Sequence, residues 1–253
     1  MNVVVCIKHV PDPNAPVEIQ DNRIKRDGVQ SVLDPGDMYG IEAGLLLKEA
    51  LGGEVAVVSM GPAQAVEAVK RALSMGADRG VLISDDALAG ADSLITARVL
   101  AAVIRRADFD LVIAGVESTD GYTGTMPSSL AEILGLPQVT FAKSLTASAS
   151  AVRVDRQTAD GYHVVECPLP ALVTVTAGVN EPRYPSFKGI MAAKKKPLEH
   201  LTLGHLGITG ADAEVKQEIV AISPVDERKS GAMVAEDEAA ARIAELLAEA
   251  KAI

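Results

Sequence analysis

Residues 54–84 read EVAVVSMGPAQAVEAVKRALSMGADRGVLIS, and this stretch decides the fold. It begins with a β-rich apolar run, Glu54–Met60, and it ends with a second one, Gly80–Ser84. Between them, Pro62–Met75 repeats its apolar residues at helical spacing. A glycine precedes the helical run, a proline begins it and a glycine follows it, which favours a helix start and a helix end at those points. A strand, a helix and a strand at this spacing predict two parallel strands joined by a right-handed crossover.

The same alternation runs through the rest of the first half of the chain. Strand-like runs cover Val3–Val10 and Leu111–Gly115, and helical patterns cover Asp37–Leu51, Ser93–Arg106 and Ser128–Leu134. We expect the side chain of Asp37 to cap the first of these helices. The loops that follow the strands should then meet at the carboxyl edge of one parallel sheet, where open α/β folds bind ligands.

The second half has a different pattern. Strand-like runs cover Val139–Leu145, Ala151–Gln157, Gly161–Glu166 and Ala171–Thr176, and Asp160-Gly161 favours a hairpin turn between two of them. Residues 185–236 contain few periodic runs, and Asp237–Ala252 is a helix with an apolar stripe. The sequence therefore predicts an α/β fold with a Rossmann-like, adenine-nucleotide-binding core at 1–184 and extra β strands. A C-terminal arm at 185–253, ending in the helix, would lie on a partner.

Composition excludes several classes of protein. Apolar residues make up 48% of the 253 residues, which is enough for a substantial core and argues against disorder. The net charge of −10 argues against general nucleic-acid binding. The apolar N-terminal run ends at Lys8 and His9, so it predicts neither a signal peptide nor a membrane span. We expect a cytoplasmic protein, or a mitochondrial matrix protein in a eukaryote. Cys6 and Cys167 lie in predicted strands and are predicted to be buried thiols.

The best candidate for a ligand site is the loop after the fourth parallel strand, 115–129. Its small and hydroxyl residues allow backbone N–H groups to approach an anion, and the next helix points its positive end at the same place. The loops at 34–37 and 59–62 reach the same edge, and Cys6, Ile7 and Met60 would supply an apolar slot for a purine. The alternative is an ordinary strand-to-helix turn with a capped helix. No glycine-rich dinucleotide fingerprint or Walker lysine pattern occurs, so a mononucleotide site built from backbone amides is the hypothesis that remains.

The sequence shows no recognisable arrangement of catalytic residues. The four histidines are scattered, and neither cysteine has a base nearby in the sequence. We assign no catalytic residue and no metal ligand.

The segment Asn180–Lys196 favours a contact with another protein. It places Phe187 between proline and glycine, ahead of three consecutive lysines, in a stretch too polar and too interrupted to be core. An exposed ring would anchor a partner while the cations steer the encounter. The alternative is that the Phe187 ring packs into the core of its own chain.

Four blocks resemble the beta subunits of electron-transfer flavoproteins, and they occur in that family's order along nearly the whole chain. They are Val3–Asp12, Gly61–Gln64, Ala72–Arg79 and Asn180–Lys196. The resemblance implies a heterodimer with a larger alpha subunit that holds most of a redox-active FAD. This subunit would then be a rigid base that lines one side of the flavin and binds AMP. Electrons would come from acyl-CoA dehydrogenase-type donors and pass to a quinone oxidoreductase, without insertion of this chain into a membrane.

The resemblance also implies roles for particular positions. The AMP contacts would be Cys6, Asp34, Pro35, Gly36, Asp37, Met60, Gly115, Val116, Glu117, Ser118, Thr119, Asp120, Gly121, Tyr122, Thr123, Gly124, Thr125 and Met126. A recognition loop, about 176–197, would dock the donor through Phe187 together with Arg183, Tyr184, Ile190, Met191, Lys194, Lys195 and Lys196.

Two departures from the family pattern lie in the nucleotide pocket. Gly121-Tyr122 stands where many relatives carry further acidic residues after Asp120, and Met126-Pro127 stands where several have a threonine or valine followed by glycine. One alternative is therefore the electron-bifurcating branch, in which a second FAD replaces AMP and which shares Asp120-Gly121 but not Tyr122. An alternative from another class is a free-standing adenine-nucleotide sensor, which would be a stable monomer.

Overall fold

A computed structural model describes residues 1–20, 22–26, 28–210, 212–217, 219–223, 231 and 233–253. The chain forms two compact units, 1–221 and 222–253. The first unit holds the sheet and five of the helices in the described residues, and the second holds the C-terminal helix.

Strands and helices alternate along the first unit. The helices are α1 (Pro35–Leu51), α2 (Val66–Met75), α3 (Ser93–Ile104), α4 (Met126–Leu134) and α5 (Phe187–Ala193). The strands are β1 (Asn2–Cys6), β2 (His9–Pro11), β3 (Ile19–Gln20), β4 (Arg23–Ile24), β5 (Ser31–Leu33), β6 (Glu54–Met60), β7 (Arg79–Ile83), β8 (Leu111–Gly115), β9 (Gln138–Ala147), β10 (Ala151–Thr158), β11 (Gly161–Pro168), β12 (Ala171–Val175) and β13 (Leu198–Leu201).

One large sheet forms the centre of the described part of the chain. Its strand order is β11-β10-β9-β12-β8-β1-β6-β7-β13. The seven strands from β9 to β13 in that order run parallel, and β10 and β11 extend the sheet as antiparallel strands. The predicted parallel α/β core with added β strands is confirmed.

Alternating side chains of the central strands build a core on each face of the sheet. Val3 and Val5 point to the face covered by α1 and α2, and Val4 and Cys6 point to the face covered by α3 and α4. Both faces are apolar because parallel strands in such folds are covered by helices on both sides.

The start of α1 lies earlier than the sequence pattern indicates. Its cap is Asp34, whose carboxylate accepts a hydrogen bond from the Gly36 N–H, and the helix begins at Pro35. The prediction that Asp37 caps this helix is therefore wrong, and Asp37 lies inside the first turn. Proline fits at that start because a first-turn N–H has no partner within the helix.

The antiparallel part of the sheet follows the predicted strand pattern. Strands β10 and β11 pair with Thr158 opposite Gly161, so the turn at Asp160-Gly161 joins them as predicted. Strand β9 pairs with β10 on one side and with β12 on the other.

Two local expectations need correction. The run Val3–Val10 is not one strand, because β1 ends at Cys6 and β2 is a separate short strand that pairs with β5. Residues 185–236, in which the sequence shows few periodic runs, contain α5 and the sheet strand β13.

The second unit contains α6 (Glu236–Glu249), close to the predicted C-terminal helix. Its first turn carries Glu236, Asp237 and Glu238, which suits the positive end of a helix. In the described residues, none of the helices has both the length and the apolar content needed to cross a membrane.

Candidate functional site

The candidate ligand site lies where β8, β1 and β6 end side by side. From β1 the chain proceeds to β6 and β7 on one side, and it then crosses to β8 on the other side of β1. A crevice forms at such a reversal of strand order, at the carboxyl ends of the strands. Cys6, Met60 and Gly115, the last residues of these three strands, are thus brought together as the sequence predicts.

Asp34 connects the first helix to the ligand loop, 115–126. Its side chain is fully buried. One carboxylate oxygen accepts from the Gly36 N–H at 2.9 Å, and the other accepts from the N–H and the hydroxyl of Thr119 at 2.8 and 3.1 Å. A buried carboxylate is stable here because its oxygens are hydrogen-bonded. Asp34 therefore fixes the loop through donors that are then not free for a ligand.

Asp37 closes the other side of this junction. Its carboxylate accepts from the Lys8 N–H at 2.7 Å and from the Gly115 N–H. Burial, and then the neighbouring Asp34 carboxylate, raise the pKa of Asp37 well above its usual range. A side chain at Gly115 would place its Cβ 2.9 Å from an Asp37 oxygen, so close approach at this point requires glycine.

A second anchor of the loop is an ion-pair cluster around Asp120. The Asp120 carboxylate, 3% exposed, accepts from the Lys8 ammonium at 2.7 Å and from the Arg26 guanidinium. The Lys8 ammonium also donates to the Ser118 hydroxyl at 3.2 Å. Burial alone would raise the pKa of Asp120, but Lys8 and Arg26 outweigh it and lower that pKa to about 2. The carboxylate therefore stays ionised and tied to both cations at neutral pH.

The second half of the loop is open. Residues 121–125 are exposed, and α4 starts directly after them without a side-chain cap from Thr125. The Thr125 hydroxyl donates instead to the Ser93 hydroxyl at 3.0 Å. Uncapped N–H groups at the start of a helix attract an anion. The donors around this point therefore fit a phosphate group, while the first half of the loop serves as its support.

The apolar residues of the candidate pocket differ in exposure. Cys6 is 4% exposed, whereas Met60 is half-buried at the end of β6. Burial, and then the negative charge of Asp37, raise the pKa of the Cys6 thiol to about 12, so the thiol is neutral at physiological pH. Both cysteines are buried and free, which confirms their predicted structural character.

Tyr122 has an unusual backbone at the open end of the loop. Its φ is +48°, its N–H donates to the Ser118 carbonyl, and its side chain is 66% exposed. A bulky residue in the left-handed region is uncommon and is maintained only where neighbouring bonds fix it. The Tyr122 side chain is thus displayed at the open end of the ligand loop.

The predicted docking residues form an exposed surface around α5. Tyr184 and Phe187 are 84% and 81% exposed, and Ile190 and Met191 are about half exposed. The alternative in which the Phe187 ring fills the core of its own chain is wrong. Lys194 and Lys195 are also exposed, and so is Lys188, which is not among the predicted docking residues. We call residues 184–195 the docking segment.

Arg183 and Lys196, at the two ends of the docking segment, point into their own chain. The Arg183 guanidinium is hydrogen-bonded to Glu42 and Glu49 of α1. The Lys196 ammonium donates to the carbonyls of Leu73 and Ala77 at the C-terminal end of α2, at 2.9 and 2.6 Å. The sequence resemblance implies that both residues contact the donor, and it does not indicate these bonds within the chain.

Several structural partners escape sequence reasoning. Lys8 and Arg26 are far from Asp120 in the chain, and no local pattern links them. Only Glu42 could have been found from the sequence, because it is an acidic residue among the small and apolar residues of α1. Such a residue, 4% exposed in the structure, requires a buried partner.

Comparisons with known proteins agree on one family. A family model described as "Electron transfer flavoprotein domain" matches residues 21–206. "Electron transfer flavoprotein subunit beta" of Mycobacterium tuberculosis is 37% identical over 93% of this chain and 93% of its own length. The protein of the same name from Clostridium acetobutylicum is 38% identical over 86% of this chain and 87% of its own length. "Caffeyl-CoA reductase-Etf complex subunit CarD" of Acetobacterium woodii is 38% identical, covering 88% of each chain.

Proposed function

Because this chain belongs to the electron transfer flavoprotein family as a beta subunit, and so to a flavin-associated electron carrier, we propose that it binds AMP as a structural ligand. The observation that carries the proposal is the fixed ligand loop, which ends at the uncapped start of α4. Asp34, Lys8 and Arg26 hold the first half of that loop. The residues at the start of α4 would hold the phosphate, and the ends of β1 and β6 would line the base.

In this proposal the chain is a rigid base and performs no chemistry itself. The FAD, held mainly by the alpha subunit, would supply the electron transfer when bound. The beta subunit would line one side of it and would dock an acyl-CoA dehydrogenase-type donor. The electrons would then pass to a quinone oxidoreductase.

A second candidate is a bifurcating beta subunit that binds FAD in the same pocket. Two observations favour it: the similarity to the caffeyl-CoA reductase-Etf subunit, and the glycine at position 121 after Asp120. The exposed Tyr122 side chain does not separate the two candidates, because either an adenine or an isoalloxazine ring can stack on an aromatic face.

Chemical analysis of the purified heterodimer tests these two candidates. The protein is denatured, and the released flavin and adenine nucleotides are separated and counted against protein. One FAD and one AMP per heterodimer are expected. Two FAD per heterodimer with no AMP would overturn the AMP proposal in favour of the bifurcating form. A beta chain that is stable and monomeric alone, and that binds nucleotide without an alpha subunit, would support the free-standing sensor instead.

The donor-docking part of the proposal is supported by the chemistry of the docking segment. Four large apolar side chains and three lysines are exposed within the docking segment, on a protein whose net charge is −10. An apolar cluster with a local positive rim fits a partner pocket that is apolar inside and acidic at its edge. The occupant that this surface suits is therefore an electron donor with such a pocket.

Phe187→Ala tests the docking surface. Loss of a central aromatic anchor costs about 2 kcal/mol or more, so KM for the donor protein should rise at least about thirtyfold. Flavin content should stay unchanged because the residue is exposed. Phe187→Leu is the matched control, and we expect it to keep KM within about threefold because a smaller apolar anchor still fills the same pocket. An unchanged KM for Phe187→Ala would refute docking through this residue.

A further inference from the structure

We propose that Arg183 is a positioning residue, which clamps the docking segment to α1 and so presents Phe187 in a form ready to bind. The proposal rests on the docking role of the same segment. The sequence resemblance implies that Arg183 contacts the donor directly. In this proposal Arg183 instead acts within its own chain.

The bonds of Arg183 support this assignment. Its Nε and Nη2 donate to the two oxygens of Glu42, each at 2.8 Å, and its backbone N–H donates to Glu42 at 3.1 Å. Its Nη1 and Nη2 also donate to Glu49 at 2.6 and 3.2 Å. A guanidinium has five N–H donors in a fixed fork. Four of them point at α1, so little of the group remains for a partner.

The clamp joins a buried charge to an exposed one. Glu42 is 5% exposed at its side chain and Glu49 is 54% exposed. The bonds to Glu42, and then those to Glu49, raise the pKa of Arg183, so the guanidinium keeps its charge throughout the physiological range. Paired guanidinium and carboxylate groups with two parallel bonds fix direction as well as distance. Glu42 therefore sets where the docking segment leaves the body of the protein.

The other end of the segment is fixed on α2. The Lys196 ammonium donates to one carbonyl in the last turn of that helix and to one just beyond its end. Gly189 lies so close to the helix that a Cβ there would come 2.5 Å from the Ser74 carbonyl oxygen. Between these attachments α5 is only seven residues long, too short to persist without tertiary support. Two charged attachments on two helices thus hold the segment in one conformation. Preorganisation of this kind improves affinity by reducing the ordering cost of binding.

The test uses the intact heterodimer with Arg183→Gln, Arg183→Lys and the matched control Arg106→Gln. Arg106 forms a half-exposed ion pair with Glu199 outside the docking segment, so the control removes the same charge and one ion pair. Amide hydrogen exchange of residues 184–195 is measured without donor, and KM and kcat are measured with the donor protein as the varied substrate. For Arg183→Gln we expect exchange and KM both to rise about tenfold, with the loss confined to KM. Arg183→Lys should lie in between, and Arg106→Gln should stay within twofold for both.

The outcomes separate the clamp from its rivals. A raised KM with unchanged exchange would mean that Arg183 contacts the donor itself, and faster exchange with unchanged KM would mean that presentation has no effect on docking; either overturns the proposal. If Arg183→Gln fails to assemble, Glu49→Gln removes the exposed half of the clamp without leaving a buried charge, and it should raise both quantities about threefold. No rise in either would also overturn the proposal. An unchanged KM in Phe187→Ala refutes the docking surface instead, whatever the exchange data give for Arg183.

Discussion

At the scale of single residues, Asp120 has the clearest effect on the ligand loop. Asp120→Asn removes the negative charge that Lys8 and Arg26 share, and it leaves the two cations close together. We expect the free energy of unfolding at pH 7 to fall by about 2 kcal/mol, the usual range for a lost charge-assisted hydrogen bond. Chemical denaturation measures it. Asp160→Asn, at the exposed turn between β10 and β11, is the control and should change stability by less than about 0.5 kcal/mol.

The pH dependence of the same variant checks the cause. The pKa of Asp120 is about 2 in the folded protein, below the value of about 4 for an unfolded aspartate. A lowered carboxyl pKa stabilises the folded state fully above the unfolded pKa, and the stabilisation is lost as pH falls toward the folded pKa. The difference in stability between the natural protein and Asp120→Asn should therefore be constant above about pH 5 and shrink between about pH 4 and pH 2. If the stability difference between the two proteins did not change with pH, the loss in Asp120→Asn would come from packing rather than from charge.

At the scale of elements, α1 is the helix on which both candidate sites depend. Its N-terminal cap, Asp34, holds the ligand loop, and its later turns hold the docking segment through Glu42 and Glu49. Asn180 adds a further link, because its side-chain amide donates to the Tyr39 carbonyl at 2.9 Å. One helix therefore sets the position of two surfaces with different roles.

Asp34→Asn separates the capping of α1 from the attachment of the loop. Asparagine caps a helix as well as aspartate does. It has only one side-chain oxygen, however, and cannot serve both Gly36 and Thr119. We expect the bound nucleotide per heterodimer, counted after denaturation, to fall severalfold while α1 stays folded. Asp92→Asn, at the cap of α3, is the matched control because its carboxylate accepts from the Ile95 N–H at the start of that helix. Equal nucleotide content in both variants would refute the role of Asp34 in holding the loop.

The sequence predicts the elements whose cause is local and misses those whose cause is tertiary. The strands and helices from β6 to β8 follow from periodicity, and convergence of the strand ends follows from a parallel sheet. Helix α5 is missed because it is short and is held by α2. Strand β13 is missed because its middle residues, Glu199 and His200, are exposed at the edge of the sheet. The break after Cys6 is also tertiary, since the next N–H groups bond to distant residues: Ile7 to Val58, and Lys8 to Asp37.

The candidate sites divide in the same way. The order of parallel strands determines which loops come together, so the sequence predicts the grouping of Cys6, Met60 and the loop after Gly115. Which side chains hold those loops depends on contacts between remote parts of the chain. Arg183 and Lys196 show the limit most clearly, because a cation in a polar segment has the same sequence pattern whether it faces a partner or its own helices.

At the scale of the whole molecule, the docking segment carries a local positive charge although the chain as a whole is negatively charged. The chain carries a net charge of −10, yet Lys188, Lys194 and Lys195 are exposed in the docking segment. A local cluster within about one Debye length, roughly 10 Å at 0.1 M salt, governs a docking encounter more than the distant charges do. Whether KM for the donor rises or falls with salt therefore shows whether the donor responds to the local positive charge or to the overall negative charge.

We expect KM for the donor protein to rise about three- to tenfold between low and physiological salt, because screening slows a steered encounter. Neutralising Lys188, Lys194 and Lys195 to glutamine should raise KM at low salt and remove most of this dependence. The matched control neutralises Lys25, Lys70 and Lys216, three partly or fully exposed lysines elsewhere in the first unit, and so lowers the net charge by the same three units. It should keep the natural salt dependence. A KM that falls as salt rises would show that the overall negative charge repels the donor, and equal effects of the two triple variants would assign steering to net charge rather than to the docking segment.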